Sequence, residues 1–344
     1  MKKRALITGI SGQDGAFLSQ FLLEKNYEIY GAYRRSSSPI TWRLNELGID
    51  GDVKMVPFEL LDYSNILSVI GEVQPDEIYN LAAQSFVKGS FEKPIYTADV
   101  DAVGVLKVLE AIRVVNPEIK FYQASTSELF GVPKEFPQTE TTPFYPRSPY
   151  SAAKLFAHTI TINYREAYGL HASAGILFNH ESEFRGIGFV TRKITSSLAS
   201  IKQGNLDSFE LGNIYSKRDW GYAKDYVSAM WEMLQQEKAD EYVIATGESH
   251  TIKEFITLAA ASIGFDLEWS GEGVNEYAID KKRGKKIITI NEKYFRPSEV
   301  DMLQGDISKA KEILGWEPTV TFEQLAEKMA VSDYERVKNG KRLV

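Results

Sequence analysis

The chain contains no cysteine, which excludes disulfides, thiolate metal sites and cysteine nucleophiles. Its four histidines are scattered, without the short-spaced pair that ligates zinc, so no metal site is expected. Nor is there an apolar run near the roughly twenty residues that cross a bilayer. The basic start, MKKR, leads into a few apolar residues and then a glycine loop rather than the apolar core of a signal peptide. No membrane partner and a cytoplasmic location are therefore expected. A formal net charge of −7 over 344 residues gives no general attraction for nucleic acid or anionic lipid, so any phosphate site must be local. No repeat, low-complexity tract or linker stands out. The length suffices for a full core and for two substructures on one scaffold.

What is present begins with a strand over Ala5 to Thr8, the turn Gly9-Ile10-Ser11-Gly12-Gln13-Asp14-Gly15 and the amphipathic run AFLSQFLLEKN. Glycines at this spacing allow a tight turn, close approach of backbone to a pyrophosphate, and close packing of helix on strand. The next strand, Glu28 to Tyr33, runs into Arg34-Arg35-Ser36-Ser37-Ser38. A cofactor without a 2′-phosphate usually meets an Asp or Glu there, whereas guanidiniums and hydroxyls suit a 2′-phosphate. NADP is thus expected over NAD, although two adjacent arginines also make an ordinary solvated turn. Strands and helices go on alternating: Val53 to Leu60, a helix from Ser64 capped by Ser64-Asn65, Glu77 to Leu81 entering Ala82-Ala83-Gln84-Ser85, and a helix over Ala98 to Val115. Such alternation predicts an α/β fold with a doubly wound parallel, Rossmann-type sheet.

The chemistry concentrates between Ala124 and Lys154. A buried strand, Phe121 to Ala124, ends in Ser125, Thr126, Ser127 and Glu128, at the mouth of the sheet where ligands bind. Tyr150 and Lys154 sit four apart in a helix-forming segment and so share one face. An ammonium beside the phenol is expected to lower its pKa and make Tyr150 a base toward a sugar hydroxyl. A sixth strand is expected over Ile176 to Glu181. Beyond it come loops rich in Gly, Arg and Lys, a returning strand at Val243 to Thr246, and closing helices over Ile307 to Leu314 and Phe322 to Val331. Residues 1–178, with a return near 213–247, read as the cofactor-binding domain, and 179–344 as a smaller α/β substrate-binding domain.

With TGISGQDG, FYQASTSELFG, YPRSPYSAAKL, EVQPDEIYNLAAQS, GILFNHES, FVTRKI and YFRPSEVDMLQGD in register, the sequence resembles the extended short-chain dehydrogenase/reductases that modify nucleotide sugars. More narrowly, it resembles their GDP-mannose 4,6-dehydratase family. The resemblance covers nearly the whole chain and implies an NADP-dependent lyase. Tyr150 would act as base on the 4-hydroxyl, with Lys154 holding the ribose. Glu128 would take the C5 proton and protonate the departing C6 hydroxyl, with Thr126 and Ser127 holding substrate. The same resemblance puts Gly9, Ser11, Gly12, Gln13, Asp14, Gly15, Arg34, Arg35, Ser36, Ser37, Glu59, Leu60, Leu81, Ala82, Ala83, Gln84, Ser85, Tyr96, Lys154, His180 and Arg185 around NADP. It puts Ser85, Ser127, Asn179, Val190, Lys193, Arg218, Arg296 and Glu299 around a GDP-sugar. It further implies a homo-oligomer, a tetramer built through the Arg35 loop.

Three positions depart from that pattern: Glu59 in place of Asp, Glu183-Phe184 in place of Pro-Arg, and a bulky Trp42. They bear on assembly or on a related substrate such as a GDP-linked heptose. A nucleotide-sugar 4-epimerase or reductase would need Tyr150 and Lys154 but not Glu128. A non-catalytic NADP-binding regulator would need none of Thr126, Glu128, Tyr150 and Lys154.

Overall fold

The computed structural model describes residues 2–37, 40–295, 300, 302–341 and 343. Seven parallel strands form the central sheet: β1 (Arg4–Thr8), β2 (Glu28–Tyr33), β3 (Val53–Pro57), β4 (Glu77–Asn80), β5 (Lys120–Ala124), β6 (Ala172–Leu177) and, late in the chain, β11 (Glu241–Ile244). Their order is β11-β6-β5-β4-β1-β2-β3. The chain moves outward in one direction from β1 to β3 and in the other from β4, so the crevice between these halves opens at the carboxyl ends of β1 and β4. Strand residues alternate between two cores. Ala5 and Ile7 face a layer holding α1 (Gln13–Glu24) and α9 (Ala223–Gln235). Leu6 and Ile78 face a layer holding α3 (Tyr63–Val73), α6 (Gly104–Val115) and α7 (Pro149–Tyr168).

A buried polar ladder ties the strand ends together. The Thr8 hydroxyl donates to Asn80 Oδ1 at 2.8 Å and accepts the N–H groups of Leu81 and Ala82 at 3.0 Å. Asn80 Nδ2 then donates to Gln123 Oε1 at 2.9 Å. Each buried polar group thereby finds a partner, and the loops after β1, β4 and β5 leave the sheet at one level.

Several boundaries differ from the sequence reading. β3 stops at Pro57 rather than Leu60; as an edge strand it tolerates a terminal proline. Helix α3 is capped by Asp62, not by Ser64-Asn65: the Asp62 carboxylate accepts the Asn65 N–H at 3.1 Å, while Asn65 Oδ1 turns back to the Glu59 N–H at 2.8 Å. After two short helices, α2 (Trp42–Glu46) and α4 (Val87–Glu92), the helix expected from Ala98 starts at Pro94. It runs as α5 (Pro94–Ala98), a π turn over Asp99–Val103, and α6. The sixth strand ends at Leu177. Asn179–Glu181 (β7) instead pairs with Trp220–Tyr222 (β10), as the chain leaves the sheet for the second core.

That second core packs α8 (Val190–Lys202), α10 (Ile252–Ser262) and α11 (Phe322–Lys338) with a four-stranded sheet of β8 (Phe209–Leu211), β13 (Leu267–Ser270), β14 (Tyr277–Asp280) and β15 (Lys285–Ile290). A two-stranded ribbon, β9 (Lys217–Arg218) with β12 (His250–Thr251), joins it. Helix α11 outruns the expected Phe322 to Val331. One reason is Asp333, fully buried, which accepts from Arg192 Nε at 2.8 Å and Thr195 Oγ1 at 2.6 Å and so ties α11 to α8. The helix expected over Ile307 to Leu314 contains a π turn, Ala310–Leu314, set against α9 and β11. Among the described residues no helix is long and apolar enough to cross a membrane.

Candidate active site

The turn after β1 is built to be approached closely. Gly9 has φ 72°, and a Cβ there would come within 2.9 Å of the Ala82 nitrogen; a Cβ on Gly15 would come within 2.6 Å of the Gly9 carbonyl oxygen. Gly12 and Ser11 complete a cradle at the start of α1, whose free N–H groups favour an anion. This is the geometry a dinucleotide pyrophosphate requires.

Gln13 and Asp14 are held from the second core. Gln13 Nε2 donates to the His180 carbonyl oxygen at 2.8 Å and its Oε1 accepts from Ser182 at 2.8 Å. His180 Nε2 lies 2.9 Å from Asp14 Oδ2, its Nδ1 lies 2.8 Å from the Phe178 carbonyl oxygen, and its ring stacks on Tyr226 at 4.7 Å. Burial opposes charge on both partners, but their mutual attraction and hydrogen bond outweigh it, raising His180 and lowering Asp14 from their ordinary values. Two facing acceptors suit an imidazolium donating from both nitrogens.

A cavity of roughly 930 Å³ runs from this turn to the second core. Thr126, Ser127, Glu128, Tyr150 and Lys154 all line it. Thr126 caps a 3₁₀ turn over Ser127–Leu129 by accepting the Glu128 N–H at 3.3 Å. Helix α7 is started by a capping box between Ser148 and Ser151, with Pro149 in its first turn, and this places Tyr150 and Lys154 on the cavity wall.

The expected lowering of the Tyr150 pKa is not met in this structure. Burial is the largest influence and raises it; Asp101 and Glu128 add to the rise, while a hydrogen bond with Thr126 and the charge of Arg185 oppose it. Lys154 Nζ donates to the Ala124 carbonyl oxygen at 2.9 Å and stands 6.0 Å from the centre of the Tyr150 ring. Burial also lowers Lys154 itself, against the attraction of Asp101. Asp101, carried inward on the π turn, accepts the Gln84 N–H at 2.7 Å and is pushed by burial to about 6.

Of the other residues expected around a cofactor, Arg34, Glu59, Leu60, Leu81, Ala82, Ala83, Gln84, Ser85, Tyr96 and Arg185 share this wall. Arg34 Nη1 donates to the Tyr96 hydroxyl at 2.6 Å. Arg185 lies 3.2 Å from Glu181 and stacks on Phe189 at 3.7 Å. Arg35, Ser36 and Ser37 are exposed and not part of the wall: the chain turns outward after Arg34. Ser127, Asn179, Val190, Lys193 and Arg218 line the half nearer the second core. Arg296 and Glu299 fall outside the described residues.

The sequence reading missed Arg43, Lys88 and Phe189, which line the cavity together with Tyr294. Lys193 sits 3.9 Å above the Tyr294 ring, a pairing that sequence separation conceals. Two of the departures meet in space: Phe184 stacks on Phe17 at 5.0 Å and takes the edge of Trp42 at 5.5 Å.

With this geometry in view, comparison with known proteins is direct. A family model described as GDP-mannose 4,6 dehydratase matches residues 6–329. The chain belongs to the GDP-mannose 4,6-dehydratase family. Relatives carrying that name include one from Homo sapiens, 53% identical over 345 residues covering 98% of this chain and 92% of its own. Another, from Yersinia enterocolitica, is 52% identical over 353 residues covering 98% and 95%. Among solved structures, RMD from Pseudomonas aeruginosa complexed with NADPH superposes with a TM-score of 0.75 at 23% identity, covering 98% of this chain and 99% of that one. The dTDP-glucose 4,6-dehydratase of Bacillus anthracis in complex with NAD gives 0.80 at 22%, covering 98% of each. At such identities the likeness shows the shared Rossmann-type fold.

Proposed function

We propose that the protein is an NADP-dependent GDP-mannose 4,6-dehydratase, converting GDP-mannose to GDP-4-keto-6-deoxy-mannose and water. The observation that carries this reading is Glu128 on one wall with Thr126, Tyr150 and Lys154.

Tyr150 takes the proton of the 4-hydroxyl, which Thr126 orients. When bound, the nicotinamide supplies a store for the C4 hydride until it is returned to C6. A 4-keto group acidifies the C5 hydrogen; Glu128 removes that proton and delivers it to the C6 oxygen, which leaves as water, and as the hydride returns to C6 a proton equivalent to the one Tyr150 took from the 4-hydroxyl is restored to C5. One carboxyl cycling a proton suits elimination, whereas a 4-epimerase or reductase has no use for it. Lys154 would hold the cofactor ribose, and Arg34, beside Tyr96, would take its 2′-phosphate. Asn179, Val190, Lys193, Arg218, Arg296 and Glu299 hold the GDP-sugar, with Lys193 and Tyr294 suited to a diphosphate and a base.

Residues 1–178 with the return over 213–247 serve the cofactor, and the remainder serves the substrate. The exposed Arg35, Ser36 and Ser37 suit a loop reaching a second copy in a cytoplasmic homo-tetramer.

The test is incubation of purified protein and NADP with GDP-mannose and with other GDP-sugars, including a GDP-linked heptose, followed by mass spectrometry. Loss of one water from GDP-mannose is expected. Loss only from the heptose would change the substrate, and loss from none would refute the dehydratase reading.

A further inference from the structure

Arg43 occupies the second position of α2 and lines the cavity against the glycine turn. Its Nη1 donates to the Ser11 carbonyl oxygen at 2.6 Å, its Nε donates to the Phe184 carbonyl oxygen at 2.8 Å, and the guanidinium lies 4.3 Å from the centre of the Trp42 ring. Both acceptors are neutral. Among the described residues no carboxylate forms an ion pair with it, although its charged surroundings are rich in cations: Arg185, Arg192 and Arg336. Those three have acids of their own in Glu181, Asp333 and Glu46. Asp14, the acid that acts on Arg43, is already held by His180. Burial and the neighbouring arginines together push Arg43 down to about 10.

Half-burying a cation without an anion beside it is costly, and Arg is the side chain best shaped to take two oxygens of a phosphate. The two carbonyl contacts and the Trp42 ring hold the guanidinium at the rim of the glycine cradle, so its orientation is set before any ligand arrives. We infer that Arg43 is a phosphate-binding residue of the dinucleotide site, the counter-cation to one of the cofactor's phosphate groups. This rests on the dinucleotide reading above. It also gives Trp42 and Phe184 a purpose: the first supports the guanidinium from one side, and the second presents the carbonyl that orients it.

The experiment is calorimetric titration of NADP and of NAD into wild type, Arg43→Met and Arg43→Lys at two salt concentrations, with the melting temperature of each protein measured without cofactor. The methionine variant should bind NADP about tenfold or more weakly, with a shallower dependence on salt and a melting temperature within a few degrees of wild type. The lysine variant should recover part of the affinity and the salt dependence. A loss confined to NADP assigns the 2′-phosphate, and a loss shared by NAD assigns the diphosphate; both support the inference. A loss under threefold, or one that leaves the salt dependence unchanged, overturns it, the latter marking a role only in holding the glycine turn. Failure of wild type to bind either dinucleotide would sink the dinucleotide reading itself, a separate outcome.

Discussion

Replacing Glu128 by Gln separates the two halves of the proposed reaction. The amide keeps the shape of the side chain, and the turn is held by the Glu128 N–H on Thr126 Oγ1 at 3.3 Å, which the substitution leaves alone. Tyr150 and Lys154 lie on a different element, α7, so oxidation at C4 should proceed. Elimination should not. The amide cannot carry a proton from C5 to the C6 oxygen, and the other carboxylates of the wall are committed to His180, to Thr191 and Arg185, or to the far end of β3. Loss of a positioned acid–base group costs about 10²- to 10⁴-fold, equivalent to about 3–5 kcal/mol of barrier at 1.36 kcal/mol per tenfold. Rapid mixing with GDP-mannose should therefore show reduced nicotinamide accumulating to nearly one equivalent per site, with a 4-keto sugar that has lost no water. Deoxy-sugar formation at more than a tenth of the wild-type rate would refute the assignment.

Tyr150→Phe should abolish the accumulation of reduced nicotinamide as well, lowering C4 oxidation by about 10²- to 10⁴-fold; oxidation at an undiminished rate would remove the phenol from the mechanism. Asp333→Ala strands the fully buried Arg192 and should cost about 3–5 kcal/mol. At about 0.7 kcal/mol per kelvin of unfolding entropy for 344 residues, the melting temperature should fall by about 4–7 °C, and pairing the change with Arg192→Met should recover part of it; calorimetry checks both. His158, hydrogen-bonded to Ser125 at 2.9 Å, is lowered by burial to about 4 from an ordinary 6.5. Below pH 6.5 the unfolded chain binds this proton more readily, so the stability His158 contributes is whole above 6.5 and drains away as pH falls toward 4. His158→Gln should flatten that part of a denaturant-melting profile, and an unchanged slope would show that the ring is protonated in the fold.

The sheet was legible because its strands are short apolar runs closed by glycine, serine or a helix start. β2 has the bounds its periodicity gives, and Tyr150 and Lys154 need only helical spacing to reach one wall. Other features depend on what lies across space. Ser64-Asn65 looks like a cap by composition, but Asp62 wins because Asn65 spends its side chain on Glu59. The π turn at Asp99–Val103 has no local signature, yet it buries Asp101 behind the cavity wall, where its charge adds to the effect of burial in making Tyr150 harder, not easier, to ionise. Arg34 and Arg35 are indistinguishable as neighbours in sequence; only the outward turn of the chain gives one to the cavity. Arg43 was passed over because an isolated arginine in a short helix is unremarkable until its lack of an acidic partner becomes visible.

The ladder from Thr8 through Asn80 to Gln123 has an engineering consequence. Because three loop origins are fixed by side chains wholly inside the protein, the loops themselves can be lengthened, shortened or exchanged while their starting points stay put. Conversely, Thr8→Val would keep the volume yet leave two backbone N–H groups without their acceptor and the Asn80 amide oxygen without its donor. Such a lesion would disturb the site from beneath the turn that shapes its floor.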